Sequence, residues 1–542
     1  MSPGKTDKSS SKEAVEKRKE RAAEIANTFE WLITAFMLAF VFRAFVMEAF
    51  RIPTGSMADT LKGAHFQLCC PQCGYEYEYN YGREQVPNYD VYIEPGSPRC
   101  PSCGFFLPDG TRMPPANGDR ILVLKCIYQF LEPKHWDVVV FKNPGEPEQN
   151  FIKRLIARPG EKVEIIDGDI YINGEISRKP TKIQQELWMT VYENDYQPVQ
   201  PEMRRFNGHR WRQPFRNIQG SKWDFNAAGP TVFGLESNPD DIHVMFYDTK
   251  LGNDFGAENC AYNPSRRHNG PPYCSDLMVR FYANLNESDG TVGIGMSKYK
   301  TRYRAWVDFQ KDGEGEALTC EMAIAKSVQG QEYKDLIRMK PVRQATRKGT
   351  LFSFTNVDHQ LVFKFGDKVL RYDLGSDPEA AGQVNGNVEP EVRIFGSGKL
   401  LLSHIAISRD IYYTTPVQQM GEACFASTDH PFKLGADEFF VLGDNSPASL
   451  DSRLWSNKGI GINGQRVYRP GIVPRDYLVG KAVFVYWPSG FEFLWPRELK
   501  AYLLKNSWQN RLSAVMYWLV SFRWIPDVSQ MRFIYGGTGK NN

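Results

Sequence analysis

Ile52-Pro53-Thr54-Gly55-Ser56-Met57 follows directly on an apolar stretch near the N-terminus, and three later blocks give it meaning. They are Gly118-Asp119-Arg120-Ile121-Leu122-Val123-Leu124-Lys125, then Asn150-Phe151-Ile152-Lys153-Arg154-Leu155-Ile156-Ala157-Arg158-Pro159-Gly160, then Gly443-Asp444-Asn445-Ser446-Pro447-Ala448-Ser449-Leu450-Asp451-Ser452-Arg453. Ser56 stands in a Pro-Thr-Gly turn, where Gly55 permits close backbone approach. Lys153 lies in a strand-like run, and alternation puts Phe151, Lys153 and Leu155 on one face. Burial disfavours an ammonium and lowers its pKa, so a lysine enclosed by Phe151, Ile152, Leu155 and Ile156 can become a proton acceptor. A serine hydroxyl, a neutral amine and oxyanion donors are what nucleophilic attack on an amide requires.

Outward toward the N-terminus, Trp31 to Met47 is almost wholly apolar, and Thr28 to Phe50 extends it to the length of a membrane span. Arg43 would cost about 3 kcal/mol at the helix centre, but near the far end it can snorkel. Lys5, Lys8, Lys12, Lys17, Arg18, Lys19 and Arg21 precede the span, which predicts a cytoplasmic N-terminus and the remainder outside. A core helix would show a polar face. A cleaved leader would end in small residues, which Phe45-Val46-Met47-Glu48-Ala49-Phe50 does not supply. Leu512 to Val520 is too short to span and reads as a packed or interfacial helix.

The four blocks occur in the order found in type I signal peptidases, which this chain resembles. The resemblance implies a membrane-anchored serine endopeptidase with Ser56 as nucleophile and Lys153 as general base. It implies an oxyanion hole from the Thr54 hydroxyl and the Ser56 amide; many relatives have serine at the Thr54 position. It further implies that Ser449 hydrogen-bonds the lysine, that Asp451 and Arg453 pair to hold the loop, and that Gly443, Asp444 and Asn445 build its turn. Gly471-Ile472-Val473-Pro474 and Val479-Gly480-Lys481-Ala482 resemble the closing strands. Asp59, where proline is common, and Ala157-Arg158-Pro159-Gly160-Glu161 depart from the family pattern without removing a reacting group. Substrates would be exported preproteins, cut at the outer face of the cytoplasmic (inner) membrane, with no cofactor for catalysis. None of the eight histidines lies in a His-Glu-x-x-His pattern. A Ser-His-Asp triad would leave the lysine block unexplained.

The chain is far longer than those blocks need. Its 542 residues, 42% hydrophobic and 24% charged, belong to a multidomain globular protein. A net charge of +3 with no basic stripe argues against nucleic acid. Cys70-Pro71-Gln72-Cys73-Gly74 and Cys100-Pro101-Ser102-Cys103-Gly104 form two knuckles of zinc-ribbon type. Four thiolates predict a structural zinc ion; two disulfides are the rival reading on an exported domain. Cys69 is a spare. Cys260 and Cys274 could bridge, and Cys320 and Cys424 have no assignable partner.

From 181 to 433 short strand-like runs alternate with Gly/Asp turns, among them Leu277–Ala283, Tyr303–Phe309, Leu351–Val357, Gln360–Phe365, Val369–Asp373 and Leu400–Ile407. This predicts an antiparallel β-sandwich, and Asn356-Val357-Asp358-His359-Gln360-Leu361 before Gly366-Asp367 resembles a laminin-G or concanavalin-like jelly roll. Such an insert either fills a structural role or binds carbohydrate or protein, with Trp211, Trp223 and Trp306 able to stack on sugars or to fill the core.

The expected architecture is thus mainly β: a signal-peptidase-like core with an N-terminal transmembrane helix, an inserted zinc ribbon and an inserted sandwich. Its parts are a basic N-terminus (1–27), an anchor (28–50), core segments (51–68, 111–180, 434–490), the ribbon (69–110), the sandwich (181–433) and a C-terminal helical extension (491–542). A rival reading is a membrane-anchored adhesion protein, binding glycan or protein, on a degenerate protease scaffold.

Overall fold

The computed structural model describes residues 8–81, 98–108, 111, 115–206, 210–257, 262, 272–285, 289–311, 317–345, 349–379, 384, 386–414, 424–428, 430–461, 467–488 and 530–537. A helix over Lys8–Val41 leads through a wider π turn, Phe42–Val46, straight into the first strand, Met47–Arg51. Its segment Ala23–Val46 is long and apolar enough to cross a bilayer, and its apolar window is not buried by any of the described residues. Burying so many bare Phe, Leu and Met side chains in lipid removes the cost of leaving them in water.

The core is an antiparallel sheet ordered Met47–Arg51, Arg120–Leu124, Leu478–Trp487, Val138–Lys142, Asn150–Ala157, Glu438–Leu442 and Val473–Pro474. Strands from three distant parts of the sequence therefore lie side by side. One apolar cluster, with Ile121, Val123, Val138, Val140, Ala482 and Val485, receives Ile52, Met57 and Leu61 from the serine loop. A smaller sheet, Phe432–Lys433, Lys162–Ile166, Asp169–Ile172 and Glu175–Ile176, packs beside it through Val163, Ile165, Ile170 and Phe440.

The insert consists of two antiparallel sheets. The first runs Met189–Glu193, Lys399–Arg409, Leu277–Asn284, Thr350–Val357, Gln360–Phe365 and Lys368–Asp373. The second runs Phe215–Asn217, His243–Tyr247, Val392–Gly396, Gly290–Lys298, Thr301–Lys311, Ala317–Val328 and Lys334–Arg338. Alternate residues of both, such as Val279, Phe281, Phe352 and Phe363 against Ile294, Tyr303, Val307 and Ile394, form one continuous buried core. Period-two burial is what turns such runs into facing layers. All six runs read from the sequence are strands. Asp358 and His359 join two of them with φ of 46° and 55°, a two-residue turn whose twist suits a hairpin.

The two-layer body is narrower than 181–433. The helix Thr181–Leu187 puts Ile183 and Leu187 into the cluster beneath the core sheets, which Ile411, Tyr413 and Phe432 also join. The seam between core and insert is a buried ionic network. Lys298 Nζ lies 2.6 Å from Asp276 and 3.6 Å from Asp169, while Lys179 bonds Asp358 and sits 2.9 Å from Asp410. Asp169, Asp276 and Asp358 converge closely enough to suggest a cation, and the two ammonium groups already supply that charge.

The C-terminal extension, expected to be helical, contains a strand within its described part. Arg532–Phe533 pairs with Phe484 and Val485 at the far end of Leu478–Trp487, and the Phe484 and Phe533 rings lie 5.0 Å apart, tilted by 57°. Leu512 to Val520 lies outside the described residues.

Candidate active site and cysteine cluster

The serine loop leaves the first strand at Ile52 and turns back under Gly63 and Gly118. A side chain at Gly118 would strike the Ile52 carbonyl oxygen at 2.0 Å, and one at Gly63 would strike the Thr54 carbonyl carbon at 2.3 Å. The loop can close this tightly only because both residues lack a Cβ. Ser56 is half-buried, Thr54 is exposed, and Lys153 reaches the loop from Asn150–Ala157, which the sheet separates from Met47–Arg51 by three strands. Its Nζ donates to Ser56 Oγ at 2.6 Å.

Lys153 is 4% exposed. Burial pushes its pKa down to about 8, the Asp451 and Asp444 carboxylates oppose the shift, and Arg453 adds to it. The Phe151 ring lies 5.7 Å from Nζ on the same strand face. No carboxylate pairs with this ammonium among the described residues, so desolvation wins.

The Gly443-to-Arg453 block wraps round both groups. Asp451 and Arg453 form a buried two-pronged ion pair, with Nε to Oδ1 at 2.9 Å and Nη2 to Oδ2 at 2.7 Å. Burial raises the Asp451 pKa, but Arg453 outweighs it and holds the group below its ordinary value. The Gly443 amide donates to Asp451 Oδ2 at 3.0 Å. Arg453 also donates to Ser446 Oγ and to the Thr414 carbonyl, which locks the turn.

Asn445, read from the sequence as a turn former, does more. Its amide donates to the Ser56 carbonyl at 3.1 Å and its Nδ2 to the Gly55 carbonyl at 2.9 Å, so it clamps the serine loop directly. Asp444 binds the buried guanidinium of Arg154 through Nε at 2.8 Å and Nη2 at 2.6 Å. Arg154 was not singled out in the sequence; its place beside Lys153 in a buried strand was the available signal, since a buried arginine needs a partner.

Ser449 departs from expectation. It is buried next to Asp451, whose pKa it helps to lower, but among the described residues its Oγ has no well-formed hydrogen bond and none joins it to Lys153. Gly443 explains the crowding: a Cβ there would lie 2.2 Å from Ser449 Oγ and 2.5 Å from the Ser56 carbonyl oxygen. Tyr262, from the insert, was also missed. Its ring fills the space beside Gly55, where a Cβ would meet Cε1 at 2.4 Å.

Cys70, Cys73, Cys100 and Cys103 bring their sulfurs within 4.8 Å of one another, with Cys70–Cys103 and Cys73–Cys100 each at 3.6 Å. Pairing across the knuckles, with no S–S bond, is the wrong geometry for two Cys-x-x-Cys disulfides. It matches a tetrahedron of thiolates, whose edge is about 3.8 Å for zinc–sulfur bonds of about 2.3 Å. The knuckles are near copies: Gly74 and Gly104 both have φ of 76° and donate to the Cys70 and Cys100 carbonyls. The four residues could hold a metal. Cys69 is exposed, Cys274 and Cys320 are buried with no bridge among the described residues, and the expected Cys260–Cys274 pair lies partly outside the described residues.

In its mainly β fold, serine loop and buried lysine the chain is similar, as a class, to β-sheet serine peptidases. More particularly, the sequence model described as "Signal peptidase, peptidase S26" matches residues 108–210 and 406–487. These segments contain Lys153, Ser449, Asp451 and Arg453 but not Ser56. Signal peptidase I of Rickettsia canadensis is 32% identical over 146 residues, which is 27% of this chain and 42% of that protein. That of Rickettsia prowazekii is 32% identical over 136 residues, 25% of this chain and 39% of that protein. The chain thus spans less than half the length of the curated relatives it matches. The resemblance to type I signal peptidases read from the blocks is shared by both comparisons.

Among solved structures, galectin LEC-6 of Caenorhabditis elegans is 9% identical with a TM-score of 0.15, over 26% of this chain and 86% of that one. The VIP36 exoplasmic/lumenal domain is 9% identical with a TM-score of 0.23, over 38% and 88%. Scores this low carry no argument about ligands.

Proposed function

We propose that this chain is a membrane-anchored signal peptidase that removes N-terminal signal peptides from exported preproteins. The 2.6 Å contact between Lys153 Nζ and Ser56 Oγ, made by a buried lysine of lowered pKa, carries the reading. In its neutral form Lys153 accepts the Ser56 hydroxyl proton as Oγ attacks the scissile carbonyl. The Ser56 amide and the Thr54 hydroxyl receive the developing oxyanion. The lysine then returns its proton to the leaving amine, and a water it deprotonates releases the acyl group.

Asn445 and the Asp451–Arg453 pair hold the loop on which these atoms must meet, because small displacements cost large factors in rate. The helix over Ala23–Val46 would keep the site at the extracytoplasmic face of the cytoplasmic membrane, with the basic N-terminus inside. Zinc at the four cysteines would be structural, since four protein ligands leave no position for a reacting water.

The test is cleavage of a preprotein in detergent or liposomes by wild type, Ser56→Ala and Lys153→Met. Cleavage at the signal junction by wild type alone is expected. Equal activity in all three would refute the assignment, and an inactive, folded, zinc-loaded wild type would favour the adhesion-protein reading.

A further inference from the structure

The outer face of the insert's second sheet carries a trough that the peptidase reading does not use. The strand Gly290–Lys298 turns Val292, Ile294 and Met296 into the core, so Thr291, Gly293, Gly295 and Ser297 face outward. Glycine inside a strand weakens it and often marks a place where a ligand approaches the backbone. Here the glycines open a gap between taller neighbours. Gly293 pairs with Phe395 on one side and Trp306 on the other, and Gly295 pairs with Arg393 and Arg304.

The Phe395 ring leans over Gly293, where a Cβ would meet Phe395 Cζ at 2.4 Å and Trp306 Cβ at 2.7 Å. Above Gly295 a Cβ would fit at ordinary contact distance, with Arg393 Cβ at 3.7 Å, the Tyr303 carbonyl oxygen at 3.8 Å and Arg304 Cγ at 3.9 Å. The resulting cavity has a volume of about 280 Å³, close to the lower end of small-molecule sites, about 300 Å³.

The walls are fixed in place. Trp306 Nε1 donates to Asp308 Oδ2 at 2.9 Å, and Thr291 Oγ1 donates to Asp308 Oδ1 at 2.6 Å. Glu391 receives Arg393 at 2.7 Å and Arg302 at 3.4 Å. Arg304 lies 4.0 Å over the Tyr333 ring and 5.4 Å from that of Phe395, and forms no ion pair among the described residues.

From this arrangement we infer that the trough binds a carbohydrate, with a sugar ring against Trp306 and Phe395 and a uronate carboxylate on Arg304. A pyranose has a face of C–H bonds, whose partial positive charge suits the negative face of an aromatic ring. Its rim of hydroxyls matches the donors and acceptors of Arg302, Arg393, Glu391 and Asp308. A guanidinium held over aromatic rings without an anion is a ready fork for a carboxylate. Of the three tryptophans noted in the sequence, Trp223 is buried in the core and Trp211 packs on the cysteine module; Trp306 is the one in this trough.

The full chain in detergent is tested against mannuronate, guluronate and galacturonate trisaccharides beside their neutral hexose counterparts. Binding is measured by titration calorimetry and by tryptophan fluorescence. At least one uronate trisaccharide should bind, with affinity reduced tenfold or more by Trp306→Ala. Gly295→Val, whose Cβ would stand at ordinary contact distance from Arg393 Cβ (3.7 Å) and whose methyl groups would occupy the floor, should abolish binding and leave the melting temperature and preprotein cleavage unchanged. Arg304→Gln should cost tenfold on the uronate and nothing on a neutral sugar. Absence of binding by wild type, or wild-type binding by Gly295→Val, overturns the site. Neutral sugars bound as tightly as uronates overturn the role of Arg304.

Discussion

Replacing Lys153 by methionine should abolish cleavage and at the same time stabilise the folded protein at neutral pH. The buried amine has a folded-state pKa of about 8 against an ordinary 10.5. At one pKa unit per about 1.4 kcal/mol, that gap means the folded state carries an unfavourable contribution of about 3 kcal/mol wherever the lysine is charged in both states. The sign follows from the direction of the shift. Below pH 8 both folded and unfolded chains hold the proton, and the full cost of burying the charge is present. Between pH 8 and 10.5 the folded chain has released its proton and the unfolded chain has not, so the cost fades as pH rises. Above that window it is gone.

Methionine has similar length and no charge, and it forfeits one hydrogen bond, a net loss of about 1 kcal/mol. The balance at pH 7 is a gain of about 2 kcal/mol, visible as a rise of several degrees in melting temperature. Thermal unfolding of wild type, Lys153→Met and Ser56→Ala in one detergent, across this pH range, is the assay. The Met variant should lead at pH 7 and lose its advantage toward pH 10.5, while Ser56→Ala, which keeps the buried lysine, should show no such lead. Wild-type cleavage followed in parallel should fall about tenfold per pH unit below pH 8, as the free amine is titrated away. A Met variant no more stable than wild type at pH 7, or a difference that ignores pH, would refute the claim that burial depresses this lysine.

Other parts of the site make separate predictions. Gly443→Ala places a methyl against Ser449 Oγ and the Ser56 carbonyl; a loss of about 1–3 kcal/mol in stability is expected, with cleavage falling more than the melting point alone explains. Asp444→Asn leaves the Arg154 guanidinium buried without its anion, which should cost about 3–5 kcal/mol in denaturant unfolding, and pairing Asp444→Leu with Arg154→Met should recover most of it. Elemental analysis should find one zinc per chain, lost in Cys103→Ser, and chelation should lower the melting temperature; an unchanged melt after complete zinc removal would sink the cysteine-cluster reading.

What could be read from the sequence, and what could not, divides by how far apart the partners stand. Ser56 and Lys153 are 97 residues apart and were matched because each lies in a block with its own signature. The six strand runs of the insert were legible because period-two burial writes itself locally into the chain. Arg154 and Asp444, 290 residues apart, were not legible as a pair. The residues that build the pair look like an ordinary surface arginine and a turn aspartate until the sheet sets Asn150–Ala157 against Glu438–Leu442. Tyr262 escaped for the same reason, since nothing around it announces that its ring will seat against Gly55. The sugar trough is the strongest case. Gly293 and Gly295 are unremarkable in sequence, and Trp306 was noted beside two tryptophans that turned out to be packed away. Only the register of three strands, with positions 393–395, 293–295 and 304–306 side by side, lines up two aromatics and two arginines across the glycines. Chemistry that depends on a local motif is visible in one dimension, whereas a site made from single residues on several strands exists only once the register is known.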